Sequence, residues 1–160
     1  MLNFCEWLEH TSIVSTIAGT GWMYASFSVL HYFSLFVLVG TMILVDLRVL
    51  GVAARSQSVS AVAEQLFPWT WTALGLALFS GFVMFATDAG DYYPDTVFRV
   101  KMTVILLALI FAVILHRSIP AWDKTEKPSG SAKIVALISL LLWVGAILAG
   151  VEIAAISGLG

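Results

Sequence analysis

Charge is what this sequence has least of. Only 11% of its 160 residues are Asp, Glu, Lys or Arg, against roughly 25% in a soluble domain. So few charges cannot cover a water-facing surface. The apolar residues, 60% of the chain, are grouped into long runs, which points to lipid rather than to a large soluble core. Cysteine is nearly absent: Cys5 stands alone, which excludes an internal disulfide, and no Cys/His ligand spacing surrounds it. No excess of basic residues exists either. The net charge is -2 and the pI about 5.8, so there is no basic face for nucleic acid. The N-terminus lacks the Lys/Arg-rich start and short apolar core of a cleaved signal peptide. Phosphate-binding glycine loops, nucleophile elbows and metalloprotease motifs are missing as well.

What is present is a fourfold pattern of apolar segments. Residues 24–46, 67–87, 98–116 and 134–156 each supply roughly the 20 residues that cross a hydrocarbon core. Trp22 and Tyr24 suit an aromatic belt at the start of the first. Pro68 suits the first turn of the second, where its missing N–H has no partner to lose. Residues 1–19 are too polar to span. Leu2, Phe4, Cys5, Leu8, Ile13, Val14 and Ile17 fall near one face, with Glu6, Glu9, His10 and Thr11 between them, so one amphipathic helix in the membrane interface is expected. The fold expected is all-α: a polytopic four-transmembrane-helix bundle in a single domain, with an N-terminal interfacial amphipathic helix. Gly40, Gly75, Gly81, Gly145 and Gly150 are expected to allow close helix packing.

Orientation follows from Lys and Arg. Arg48, Arg55, Arg117, Lys124, Lys127 and Lys133 fall in the first and third loops, against Arg99 and Lys101 on the other side. Cytoplasmic first and third loops are therefore expected, with both termini and the acidic turn 88–95 facing the periplasm of a bacterial inner membrane.

An ionisable group inside a span is costly unless paired or hydrated, which makes it a candidate for function. His31 lies about two turns into the first span, Lys101 near the start of the third, and Glu152 about one turn from the end of the fourth. Alternating topology puts all three at a similar depth, where they could line a pocket for an anion, a proton, a quinone head group or a metal. The plainer reading has Lys101 snorkelling to the surface, Glu152 pairing with it, and His31 bonded to a backbone carbonyl. A second set, Asp46, Arg48, His116 and Arg117, lies at the opposite ends of the first and third spans. An interfacial ion-pair cluster marking the boundary is the reading favoured there. One haem cannot bridge His31 and His116, which differ in depth by roughly 15–20 Å; a haem b held by His31 alone, or shared across an oligomer, remains open.

The run from His31 to Asp46-Leu-Arg-Val-Leu-Gly51, with Phe67-Pro68, Ser80-Gly81 and Phe98-x-x-Lys101 after it, resembles a bacterial family of small four-helix membrane proteins of unknown function. The resemblance covers about Trp22 to His116. More distantly, the arrangement is similar to the copper-resistance D membrane proteins and the HemJ-type protoporphyrinogen oxidases, which also place a histidine early in one span and a lysine at the start of a later one. That likeness implies functional roles for His31 and Lys101 at a haem or metal site. There is, however, no methionine- or histidine-rich copper tract.

Two functions are therefore carried forward. One is a redox or cofactor-binding subunit with His31, Lys101 and Glu152 around haem, quinone or metal. The other is a non-catalytic scaffold that forms homo-oligomers or packs in a larger membrane complex. A small-ion transporter is a third reading, which four spans per chain would support only in an oligomer.

Overall fold

The computed structural model describes the backbone of residues 2–122 and 129–157 and the side chains of 3–120 and 129–148. All its regular elements are helices: α1 (Leu2–Glu9), α2 (Ser12–Gly19), α3 (Gly21–Leu50), α4 (Val59–Thr87), α5 (Ala89–Tyr92), α6 (Thr96–Trp122) and α7 (Gly130–Ser157). Four of them, α3, α4, α6 and α7, are long and apolar enough to cross a membrane. At 1.5 Å per residue, the 30 residues of α3 extend about 45 Å, the full thickness of a bilayer with its head groups.

Local chemistry sets the helix ends. Gly51 adopts φ 77°, a left-handed conformation that costs glycine nothing, and ends α3 by donating its N–H to Arg48 at 3.0 Å, while Val52 N–H reaches Leu47 O at 2.9 Å. Ser58 starts α4 by accepting the Ala61 N–H at 3.1 Å. Asp95 does the same for α6, accepting from Phe98 N–H at 2.8 Å.

These caps move one expected boundary. Helix α4 begins at Val59, so Pro68 lies inside it rather than in its first turn. The stretch before Phe67 is helical because Ser58 supplies a cap and Val59, Val62 and Ala63 are buried. The N-terminal segment also departs from a single helix. It breaks between α1 and α2, where Thr11 turns its hydroxyl back to Leu8 O at 2.8 Å. The break lets Cys5 and Ile17 both turn inward while Phe4, Trp7 and Ile13 stay exposed, as an interfacial segment requires.

Helix α3 packs along α4 on one side and α7 on the other; α6 packs on α7 and touches α4, which closes a four-helix ring. Its core runs through Leu38, Met42, Val45 and Val49 of α3, Phe67 and Ala73 of α4, Ala108, Ala112 and Leu115 of α6, and Ala132, Ala136 and Trp143 of α7. Alanines four apart on both α6 and α7 allow close approach there. The glycines contribute less than expected. A Cβ at Gly40 or Gly75 would meet nothing within 4 Å, and one at Gly145 would reach only Val104 at 3.8 Å. Gly81 is closely packed; Gly150 lies outside the described side chains. Phe33, Phe36, Phe79 and Phe82 face outward, the surface a bilayer covers.

Candidate functional site

His31 leaves α3 on the face that meets α4. Its Nδ1 lies 3.0 Å from the carbonyl oxygen of Ala77 and 3.2 Å from Ser80 Oγ. A carbonyl can only accept, so Nδ1 carries the proton and donates it. Ser80 is free to accept because its own proton goes to Leu76 O at 2.6 Å. The ring sits over Gly81, where a Cβ would stand 2.8 Å from Cε1. Glycine thus leaves room for the imidazole to cross the neighbouring helix without displacement.

This arrangement leaves Nε2 with its lone pair. No hydrogen bond to Nε2 exists among the described residues. An imidazole with Nδ1–H tied to a backbone carbonyl is held in the tautomer that can give an electron pair from Nε2.

Lys101, on α6, is half-buried and near enough to His31 to act on it electrostatically. Lys101 thus lies within electrostatic range of His31, with no hydrogen bond joining the two. No described carboxylate acts on Lys101. The third residue, Glu152, has its backbone in α7, but its side chain lies outside the described residues.

Tyrosines cluster at the same end of the bundle, where the sequence suggests only belt anchoring for Tyr24. Asp88 and Tyr32 lie within electrostatic range of Tyr24 and Tyr92, and Tyr24 within range of Tyr92. Burial, helped by Tyr24, Asp88, Tyr32 and Asp91, pushes the Tyr92 phenol above its ordinary value. Phe98 stacks on Phe85 and Tyr92, with both centroid distances at 5.4 Å. Arg99 is held apart from this cluster, its guanidinium over Tyr93 and its Nε donating to Tyr93 O at 3.0 Å. The Tyr92-Tyr93 pair in an acidic turn was the available signal, but belt anchoring explains it equally well in one dimension.

Helix α1 is latched over this end. Glu9 Oε1 accepts the Gly90 N–H at 2.6 Å. A shallow apolar depression lined by Ala25, Ser26, Val29, Leu30 and Phe33 is walled by α3 alone and presents no polar constellation.

At the opposite end, the expected ion-pair cluster does not form among the described residues. Arg48 donates Nε to Gln57 O at 2.7 Å. His116 packs its ring on Phe67 at 4.5 Å and Trp71 at 5.8 Å. Arg117 is exposed. Asp46 is fully buried with neither carboxyl oxygen hydrogen-bonded. The residues fail to meet because they share a depth but leave their helices in different directions. His116 and His31 contact α4 around residues 67–71 and 77–81, about 15 Å apart along the helix. A single haem therefore cannot use both.

The described residues contain no group of three or more His, Cys, Asp or Glu arranged to hold a metal ion. Chemically, the site offers one imidazole electron pair within electrostatic range of one ammonium. That pair suits a ligand that accepts electrons from nitrogen, or an O–H, and carries oxygen acceptors or negative charge for lysine.

Neither a curated protein nor a solved structure matches the chain. The likeness to copper-resistance D and HemJ-type proteins therefore rests on the residue pattern alone. A family model does match, over residues 4–155, nearly the full length. This chain belongs to that family, described as a family of unknown function (DUF6644).

Proposed function

We propose that this is a redox or cofactor-binding protein of the bacterial inner membrane, with His31 Nε2 as the ligating or hydrogen-bonding atom. The observation that carries the reading is the fixed tautomer of His31: Nδ1–H is tied to Ala77 O and Ser80 Oγ, and Nε2 is left with a lone pair. Lys101 adds a positive charge within electrostatic range. His31 Nε2 would hold a haem through its iron, and Lys101 would offset negative charge on the group. A quinol would donate its O–H to Nε2, and a quinone carbonyl would accept from the ammonium. One imidazole and one ammonium support haem or quinone better than a bare metal ion, which needs several donors. In this reading the Lys- and Arg-rich loops face the cytoplasm, the site lies towards the periplasm, and Tyr32, whose ring centroid is 6.1 Å from that of His31, stands at its edge.

Absorbance spectra of the detergent-purified protein, as isolated and after dithionite, test the haem arm. Organic extraction and metal analysis test the other two. The expected result is a bound group that is lost in His31→Ala while the helical content is retained. Protein purified from its native membrane with no Soret band, no quinone and no metal would overturn the reading.

A scaffold is the second reading, and one observation favours it. His31 fills the space over Gly81 and thereby welds α3 to α4. On that reading His31→Ala weakens assembly, and no preparation ever carries a ligand.

A further inference from the structure

A second polar site lies between α3 and α7, independent of His31. Asp46 and Ser139 are 0% exposed and Trp143 is 2% exposed. Both Asp46 carboxyl oxygens, Ser139 Oγ and Trp143 Nε1 lack a hydrogen-bond partner. Ser139 and Trp143 are four residues apart on α7 and so share one face. Ser139 stands beside the Asp46 carboxyl, close enough to act on it, although no geometrically complete hydrogen bond joins them. Three unsatisfied polar side chains on one helix interface are unusual, because each forfeits its hydration without compensation.

The charge state of Asp46 is the decisive question. A bare carboxylate needs a counter-charge in such surroundings. Arg48, on the same helix, is turned to Gln57 O. On α7, Lys133 is exposed near the helix start. On α4, Glu64 is exposed, and on α6, His116 and Arg117 are exposed. None forms a bond to Asp46 among the described residues. The negative charge must then be cancelled by something small enough for a closed site. A divalent ion has no ligand set here. A monovalent cation would find three side-chain oxygens, while the surrounding helical carbonyls are committed to the α-helical ladder. A proton needs only the carboxyl itself, and the resulting O–H has Ser139 Oγ as an acceptor.

We propose that Asp46, with Ser139 beside it, is a buried proton-binding site that exchanges its proton at the bundle end carrying Arg48. Asp46 lies five residues before the Gly51 terminus of α3, about 7 Å from that end. From His31 it is about 22 Å along the helix, so the two sites are physically separate. Trp143 Nε1–H, one turn along α7, is a second buried polar group without a partner on the same helix face.

Infrared spectroscopy of the full chain in liposomes, with aspartate labelled by carbon-13 at the carboxyl, tests this directly. At neutral pH a protonated-carboxyl C=O band should be present, should shift with the label, and should vanish in Asp46→Asn. Ser139→Ala should move the band to higher frequency through loss of its hydrogen-bond partner. Raising the pH should convert the band to a carboxylate signal. Absence of a label-sensitive protonated band, its persistence in Asp46→Asn, or its indifference to pH would each overturn the proposal. A band that emerges only when sodium and potassium are removed would replace the proton by a cation and overturn it too. If Asp46→Asn does not assemble, Ser139→Ala in labelled protein decides: a shifted band supports the site, and an unshifted one refutes it.

Discussion

The His31 ring lies against Gly81. A Cβ there would stand 2.8 Å from Cε1, so the ring would have to shift. Gly81→Ala must push His31 off Ala77 O and Ser80 Oγ. Overpacking of this kind costs about 1–3 kcal/mol. The expected outcome is a lower thermal midpoint in detergent and, if a cofactor is held at Nε2, a loss of occupancy similar to that of His31→Ala. A variant with wild-type stability would show that the two helices do not approach this closely.

Ser80→Ala separates the two acceptors of His31. Ala77 O still fixes the tautomer, so the cost should stay near 1 kcal/mol, the typical net value of one hydrogen bond. Ligand occupancy should fall far less than in His31→Ala. Equal losses in the two variants, measured by absorbance or extraction, would mean that Ser80 touches the ligand itself.

The latch between Glu9 and Gly90 can be released without touching the bundle. Glu9→Ala removes the acceptor of the 2.6 Å bond and should cost about 1.5–3 kcal/mol, the range for a hydrogen bond to a charged group. Hydrogen exchange should accelerate in the peptide spanning 88–93 and in α1, and remain unchanged in α3 near Thr41. There, Thr70 Oγ1 bonds Thr41 Oγ1 at 2.9 Å inside the bundle. Exchange that accelerates throughout would show that α1 is part of the cooperative core.

Topology is open to labelling. In a Cys5→Ser background, Asp91→Cys should react with a membrane-impermeant maleimide from the periplasmic side. Ser56→Cys, beside Arg55, should react only after permeabilisation. The opposite result would reverse the orientation inferred from the Lys and Arg distribution.

The spans, their number and the all-helical class were legible in one dimension because hydrocarbon imposes a length and a polarity on every crossing segment. The short scale was less so. Residues 2–19 form two helices, since the position of Thr11 and the docking of Cys5 and Ile17 matter more than overall amphipathicity. Ser58 extends α4 by two turns beyond the apolar run. Hydropathy is blind to a cap that operates outside the membrane.

His31 could be recognised as exceptional from sequence, since an ionisable residue deep in a span needs a reason to be there. Which reason applied could not be. Depth along a helix follows from counting residues, whereas direction around it depends on which neighbour each face meets. Only the packing of α3 between α4 and α7 placed His31 against Ala77, Ser80 and Gly81 and enclosed Asp46 beside Ser139. The same packing kept Asp46, Arg48 and His116 apart despite their common depth. Composition decided that this chain meets lipid; the arrangement of its helices decided which polar atoms are left without partners.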